Sequence, residues 1–449
     1  MSSIFKMGLQ YSVISPIFAI LQRKMKKSRY LYSIGIASAF LLSLIGCYSP
    51  TRVSNQNIAE QYKNDIHSLH PEFNLVHVDD SMSLLYFKIN ESELLYERRA
   101  LSDSFSAAVR VSFRVTINYE SPLIMDSNST VIHLQSLSNS RQEYAVGSMP
   151  VKLSKGTRYL LTALTLDMNS KRNETTYITA NKTDFSTGQN FLVRDPDNGH
   201  IIFSPIIDSA MHVSIQYMQP AQKLYVKIYK NKFPIAAPPF NSDEYSSPQL
   251  YADSSFSITK RNGMFQLYVK SRGMYHITAD SNDMSGLTLF RFDESYPNIS
   301  QAYQLVAPLR YISSNEEFGK LVNSKAPKED VDNFWLTAAS GNKDRGRALV
   351  HNYYSRIQEA NRYFASYEEG WRTDRGMIYL IFGPPSSIYR SSEGETWSYG
   401  EERSYMALSF TFIKLDNPFS DNDYALQRNI NYRNIWYNAV DLWRDGRIY

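Results

Sequence analysis

Ala107-Ala108-Val109-Arg110-Val111-Ser112-Phe113-Arg114-Val115-Thr116-Ile117-Asn118-Tyr119 places an apolar side chain at every second position. Val109, Val111, Phe113, Val115, Ile117 and Tyr119 fall on one side, and Arg110, Ser112, Arg114, Thr116 and Asn118 on the other. Successive side chains of a strand point to opposite faces, so alternation of this length predicts an antiparallel sheet with one face buried and one wet.

The same period extends outward. Residues 83–90, 130–135 and 158–168 predict further strands, separated by turn clusters such as Asp126-Ser127-Asn128-Ser129. Arg194-Asp195-Pro196-Asp197-Asn198-Gly199 is a strong break, and beyond it 201–205, 223–229, 256–260, 264–270, 274–279 and 287–292 form a second set. Their spacing predicts two consecutive antiparallel β-sandwich domains, at 74–197 and 198–304.

From 305 the pattern changes. All five tryptophans (Trp335, Trp371, Trp397, Trp436, Trp443) lie beyond this point. Pro327 with acids behind it opens a helix through Phe334 and Trp335. A longer helix over 344–364 carries the stripe Leu349, Val350, Tyr353, Ile357, Ala360 and Phe364. Residues 377–382 read as an apolar strand stopped by Gly383-Pro384-Pro385, strands follow at 396–399 and 404–415, and a last helix spans 431–444. Residues 305–449 therefore predict a C-terminal α/β (α+β) domain. Upstream, 47–73 reads as a tether, then a helix over 55–69 on Ile58, Tyr62 and Ile66.

The first 46 residues read as a leader. Lys26, Lys27 and Arg29 precede the uncharged run 31–45, which is shorter than the ~20 residues a bilayer span needs. Leu44-Ile45-Gly46-Cys47 follows, and it resembles the lipobox of bacterial lipoproteins. That resemblance implies a signal peptide cleaved after Gly46, lipidation of the Cys47 thiol and anchorage to a membrane. Cys47 is the only cysteine. The expected translation start is Met25, with 1–24 outside the mature protein. In the lipoproteins it resembles, an aspartate after the cysteine goes with the inner membrane and an acidic cluster with the cell surface, so Tyr48 there and no acid in 49–57 imply, by that resemblance, the periplasmic face of the outer membrane.

Charge excludes one class of partner. The leader holds Lys6, Arg23, Lys24, Lys26, Lys27 and Arg29 and no acid, so 42 basic and 44 acidic residues remain of the 48 and 44 in the chain. Without a basic surplus there is no footprint for nucleic acid. At about 400 residues the remainder is too long for one core.

The densest motif is Glu369-Gly370-Trp371-Arg372-Thr373-Asp374-Arg375-Gly376-Met377-Ile378-Tyr379-Leu380-Ile381-Phe382-Gly383-Pro384-Pro385, with Glu395-Thr396-Trp397-Ser398-Tyr399 downstream. It resembles the GWxTD domain of bacterial envelope proteins, notably of Bacteroidota. Gly370, Trp371, Thr373 and Asp374 carry the resemblance, with Arg375-Gly376 and Gly383-Pro384-Pro385 behind them, over roughly 305–449. The resemblance implies a location and an architecture and no reaction.

Two readings of the motif differ in consequence. In the first, Gly370 admits a tight turn, Trp371 pins it, and Thr373 and Asp374 bond local backbone. In the second, Thr373, Asp374, Arg375 and Glu393 line a cleft, or Trp371, Trp397 and Tyr399 offer aromatic anchors to a protein partner. No Walker loop, His-Glu-x-x-His, Gly-x-Ser-x-Gly or cysteine pair is present. His67 and His70 are three apart without a third ligand nearby, and His351 lies mid-helix, so no metal or other cofactor is expected and no catalytic residue is assigned. The function expected is a non-enzymatic adaptor or subunit of an outer-membrane assembly, secretion or transport complex, with the sandwiches as spacer. The alternative is a periplasmic hydrolase of glycan or peptide using carboxylates near Asp374.

Overall fold

The alternating segment forms β4 of a computed structural model that describes residues 52–63, 68–98, 104–137, 144–230, 233–241, 250–401 and 407–448. Cys47, His67 and the leader lie outside the described residues.

Eight strands make the first β region: β1 (Glu72–His77), β2 (Met82–Asn90), β3 (Glu97–Arg98), β4 (Ser104–Thr116), β5 (Asp126–Leu137), β6 (Tyr144–Lys152), β7 (Thr157–Asp167) and β8 (Asn173–Lys182). They form two antiparallel sheets, β1-β2-β6 and β3-β4-β7-β8, with β5 on the other edge of β4. The inward faces meet in one core, where Leu85, Phe87 and Ile89 pack with Val109, Val111, Phe113 and Val115. Val109 to Val115 are buried as the alternation predicts, whereas Ile117 lies past the strand end and is exposed.

The second β region holds β9 (Phe191–Arg194), β10 (Met211–Tyr217), β11 (Lys223–Tyr229), β12 (Ser254–Thr259), β13 (Phe265–Val269), β14 (Gly273–Thr278) and β15 (Leu287–Arg291). Again two antiparallel sheets, β9-β10-β13 and β12-β11-β14-β15, enclose one core around Val213, Ile215, Val226, Phe265 and Ile277.

The C-terminal region packs α1 (Asn315–Val322), α2 (Pro327–Ala338), α3 (Lys343–Phe364), α4 (Asp374–Phe382) and α5 (Tyr432–Arg444) with the antiparallel sheet β16 (Ser387–Arg390), β17 (Gly394–Tyr399), β18 (Leu408–Lys414) and β19 (Tyr424–Leu426). Ser314 caps α1 with Glu317 in a capping box. Asn342 caps α3, whose buried stripe is the expected one without the half-buried Val350 and with Gly346, Tyr354 and Asn361 added. On α5, Trp436, Ala439, Val440 and Trp443 are buried, and Ile435 faces out. No described helix is long and apolar enough to cross a membrane.

Five expectations are corrected. Residues 377–382 are helical, not a strand, because Thr373 caps a helix that begins at Asp374. Asp126 to Ser129 is not a turn; it opens the edge strand β5, where polar side chains meet water. Residues 201–205 make one isolated bridge, Arg194 to Ile201, and Pro205 has no N–H for a ladder. β9, ahead of the break at 194–199, pairs with β10 and so joins the second β region. Over 55–63 the helix expected at 55–69 is replaced by short 3-10 turns at Val53–Asn55 and Ala59–Tyr62, and Ile66 lies outside the described residues.

That last difference has a tertiary cause. Ile58 and Tyr62 are buried in the C-terminal core, packed with Phe364, Tyr379 and Trp397. The Ile58 N–H donates to Ile388 O at 2.9 Å, and the Tyr379 hydroxyl donates to Tyr62 O at 2.9 Å. Two buried side chains satisfied by a distant partner outweigh a marginal local helix.

Candidate functional site

The motif begins where α3 ends. Gly370 opens a 3-10 turn, Gly370–Arg372, laid directly on α3: a Cβ there would stand 2.0 Å from Ala360 O. Gly376, on the first turn of α4, lies as close to Gly370, with 1.9 Å from an added Cβ to Gly370 O. The spacing of the two glycines is thus the packing of turn against helix.

Thr373 joins them. Its hydroxyl donates to Gly370 O at 2.8 Å and accepts from the Gly376 N–H at 3.1 Å, which is the cap of α4. Trp371 donates its backbone N–H to Asn361 Oδ1 at 3.2 Å, its ring meets Tyr311 edge-on, and the Arg372 guanidinium lies 4.7 Å from the ring centre.

Asp374 is buried. Its Oδ2 accepts from the Leu426 N–H at 2.8 Å and from Arg428 Nη1 at 3.1 Å, while Oδ1 accepts from Arg428 Nη2. Burial pushes the carboxyl up, and Arg428 and the Leu426 N–H pull it back. Both oxygens are committed to tying α4 to β19. Removing one member of a buried pair strands the other. Asp374→Ala is therefore expected to cost about 3–5 kcal/mol in urea unfolding, and Asp374→Ala/Arg428→Met to recover part of that loss.

Arg375 is fully buried too. It donates to Glu395 Oε1 at 3.2 Å and to Asn422 O at 3.0 Å, and its guanidinium lies 3.9 Å from the Tyr424 ring centre. Glu395 is the hub of this network: Oε1 also accepts from Arg390 Nε at 2.8 Å, and Oε2 accepts from Trp397 Nε1 at 2.8 Å. Burial alone would raise the Glu395 carboxyl, but Arg390, Arg375 and the Trp397 N–H outweigh it and hold it below its ordinary value.

Gly383-Pro384-Pro385 ends α4 rather than a strand. Gly383 has φ +81°, closed to most side chains, and the Tyr399 hydroxyl donates to its carbonyl at 3.0 Å. Arg356 donates to Leu380 O and Ile381 O, satisfying the helix C-terminus.

These positions overturn the reading of Trp371, Trp397 and Tyr399 as aromatic anchors. Trp371 is 5% exposed, Trp397 is 0% exposed, and Tyr399 is half-buried with its hydroxyl used. The cleft expected around Thr373, Asp374, Arg375 and Glu393 does not form either. Glu393 is exposed on the β16–β17 turn, away from the buried Asp374 and Arg375. His70 pairs with Glu93 at 3.0 Å, and His351 is exposed on α3.

An open site lies one turn upstream. A cavity of roughly 680 Å³ separates β14–β15 from the 366–372 segment, and Arg291, Phe292, Tyr296, Glu368, Glu369 and Arg372 are among the residues that line it. That is the size of a small-molecule cleft. It is wired to the motif, because the Tyr296 hydroxyl donates to Asn361 O at 2.8 Å and Asn361 holds the Trp371 N–H. A second cavity of about 640 Å³ lies where both β regions meet the C-terminal one.

Glu368 is the unusual group of the first cavity. Its Oε2 is buried and has no hydrogen-bond partner among the described residues. Burial pushes its carboxyl up to about 8 against the partial opposition of Arg372. At neutral pH it is mostly protonated. An acid held above its ordinary value stabilises the fold fully below about 4.5, and that contribution is lost as pH rises towards 8. Glu368→Gln is accordingly expected to raise Tm at pH 8.5 and change it little at pH 4, checked by thermal scans at both. Sequence reasoning missed Glu368, Arg291, Asn361 and Arg428. The only local signal was the acidic pair Glu368-Glu369 just before Gly370.

No curated protein matches the chain. A family model matches residues 273–445. The match begins at Gly273, upstream of the expected boundary at 305, and so takes in β14, β15 and the Arg291 side of the cavity. Residues 273–445 of this chain are a GWxTD domain.

Proposed function

We propose that this chain is a lipoprotein, anchored through Cys47 at the periplasmic face of the outer membrane, that serves as a non-enzymatic adaptor or subunit of an assembly, secretion or transport complex. Each facing pair of sheets is read as a β-sandwich module in that role. The observation that carries the proposal is the burial of Ile58 and Tyr62 in the GWxTD core. Ile58 lies eleven residues after Cys47 in the sequence, so a short stretch of chain would tie the GWxTD core to the proposed anchor.

Support also comes from the motif, whose polar groups are spent internally on Arg428, Leu426, Glu395 and Asn422. Next to Tyr119, whose carbonyl accepts from the Ser54 N–H, the β4–β5 loop exposes Leu123, Ile124 and Met125, an apolar tip of the kind that marks contact with a partner or membrane.

The test is crosslinking purification of the tagged protein from native envelopes, beside a Cys47→Ala form. The proposal expects one envelope partner at near-equal amount, and loss of membrane retention in Cys47→Ala. A protein recovered alone, or membrane-bound without the thiol, counts against it. One observation favours the hydrolase reading: Glu368 is an acid of raised pKa in a cleft with Glu369 and Asp293. Those two carboxylates are occupied, Glu369 with Arg372 at 2.7 Å and Asp293 with Arg272. Turnover of an envelope glycan or peptide that disappears in Glu368→Gln would favour this reading.

A further inference from the structure

Arg291 ends β15 at the wall of the first cavity, and its Nε is buried with no hydrogen-bond partner among the described residues. Its side chain is 9% exposed, and the facing carboxylate, Glu294, is 3.9 Å away on a side chain that is 86% exposed. A buried guanidinium N–H left this way is costly unless something satisfies it. The other arginines of the cavity are engaged. Arg272 meets Asp293 and donates to the Tyr303 hydroxyl at 2.7 Å, and Arg372 donates to Glu369 and, at 3.1 Å, to Phe233 O. Lys230 is exposed at the rim.

The same cavity holds the buried, unpartnered Glu368 Oε2. Two residues that each carry an unsatisfied buried polar atom thus line one space, one from the second β region and one from the turn before the motif. Phe292, Tyr296 and Tyr303 line the same space and give it flat apolar walls.

We infer that this cleft binds a small organic carboxylate with a flat or apolar body, its carboxylate held by Arg291 and its polar edge by Glu368. A guanidinium suits a carboxylate or a phosphate. The carboxylate is favoured because Arg372 and Arg272 are already matched by Glu369 and Asp293. That leaves Arg291, among the described residues, as the one guanidinium of the cleft without a close carboxylate, a match for a monoanion rather than a dianion. The volume exceeds what a bare ion needs and fits a ligand with a ring or side chain. This rests on reading the cleft as a binding site rather than a catalytic one.

Glu368 gives the site a pH signature. Protonated, it donates to the ligand. As pH rises through about 8 it ionises and repels the carboxylate, so affinity falls. The charged groups around it are Arg372, Asp423, Asp374 and Glu369, with Arg291, Arg272, Asp293 and Lys230 across the cavity.

Trp371 lines the cleft, so tryptophan fluorescence of the purified full chain reports on it. The probes are N-acetylphenylalanine for a peptide C-terminus, glucuronate for an acidic glycan, N-acetylphenylalaninamide as the uncharged match, and inorganic phosphate. One or both acids should saturate, with the amide at least tenfold weaker. Arg291→Met should weaken the acid by about 10- to 100-fold with its circular dichroism unchanged. Glu368→Gln, which cannot ionise, should lose the weakening of acid binding between pH 7 and 9 that wild type shows. No saturation by either acid at about 10 mM, equal binding by Arg291→Met, or phosphate binding as tightly as the acids would overturn the inference. An acid that binds and is then chemically converted would leave the site standing and remove the non-enzymatic reading. Recovery of an envelope partner by a protein that binds no acid would do the reverse.

Discussion

Glu395→Ala is expected to unfold the GWxTD domain's core or bring it to the edge of unfolding. The side chain is 0% exposed and compensates two guanidiniums, Arg375 and Arg390, while accepting from the Trp397 indole. The Tyr62 hydroxyl also donates to it, at 3.4 Å. Its loss strands two buried charges at once. Breaking one buried pair costs about 3–5 kcal/mol, and total stabilities run about 5–15 kcal/mol. The expected result is a loss at the upper end of that range or no folded protein, read from tryptophan fluorescence in guanidinium. Glu395→Gln keeps the shape and one acceptor and should lose less. A full-length Glu395→Ala protein within about 1 kcal/mol of wild type would show that the arginines find other partners.

Gly370→Ala should be as severe for a different reason. The added methyl carbon would sit 2.0 Å from Ala360 O and 2.7 Å from Asn361 Cα, both backbone atoms of α3. Neither is the end of a flexible side chain, so the turn and α3 must part. Ordinary overpacking costs about 1–3 kcal/mol, and separating two elements that carry the Trp371 and Asn361 contacts exceeds it. Gly376→Ala meets Gly370 O at 1.9 Å and should behave alike. The matched control is Gly319→Ala in α1, where an added Cβ meets nothing. There the change should stabilise by roughly 0.5–1 kcal/mol through helix propensity. Thermal scans of the three variants check the contrast.

Local patterns in the chain were good guides where one face is buried and the other wet. β4 and α3 follow their periods because the core lies to one side of each. α4 failed that test for a physical reason: Asp374 to Ile381 are all buried, so the helix has no polar face and its run of Met377 to Phe382 carries no period. The deciding signal was the cap, Thr373 followed by Asp374, which outranks apolar content over so short a run.

The site was less legible than the fold because its partners come from far along the chain. Asp374 finds Arg428, Arg375 finds Glu395 and Asn422, and Arg291 faces Glu368 across a cavity. None of these pairs has a sequence spacing. The apparent helix over 55–69 failed likewise, since the apolar residues Ile58 and Tyr62 answer to Ile388, Tyr379 and Trp397 rather than to each other. The motif itself was read well as a turn, with Gly370 and Thr373 in the roles their chemistry suggests, and poorly as a surface.

The claim beneath this account is that the GWxTD motif frames the domain while its work is done elsewhere. Asp374→Asn tests it most directly, since the amide keeps the shape and loses the charge that pairs with Arg428. The variant, expressed with its leader, would be crosslinked in native envelopes and its partner yield measured beside a thermal scan. The account predicts a lower Tm, by about 1–3 kcal/mol of stability, with the partner recovered in undiminished proportion to folded protein. A variant with unchanged Tm that loses its partner, or loses turnover of an envelope polymer that wild type performs, would contradict it.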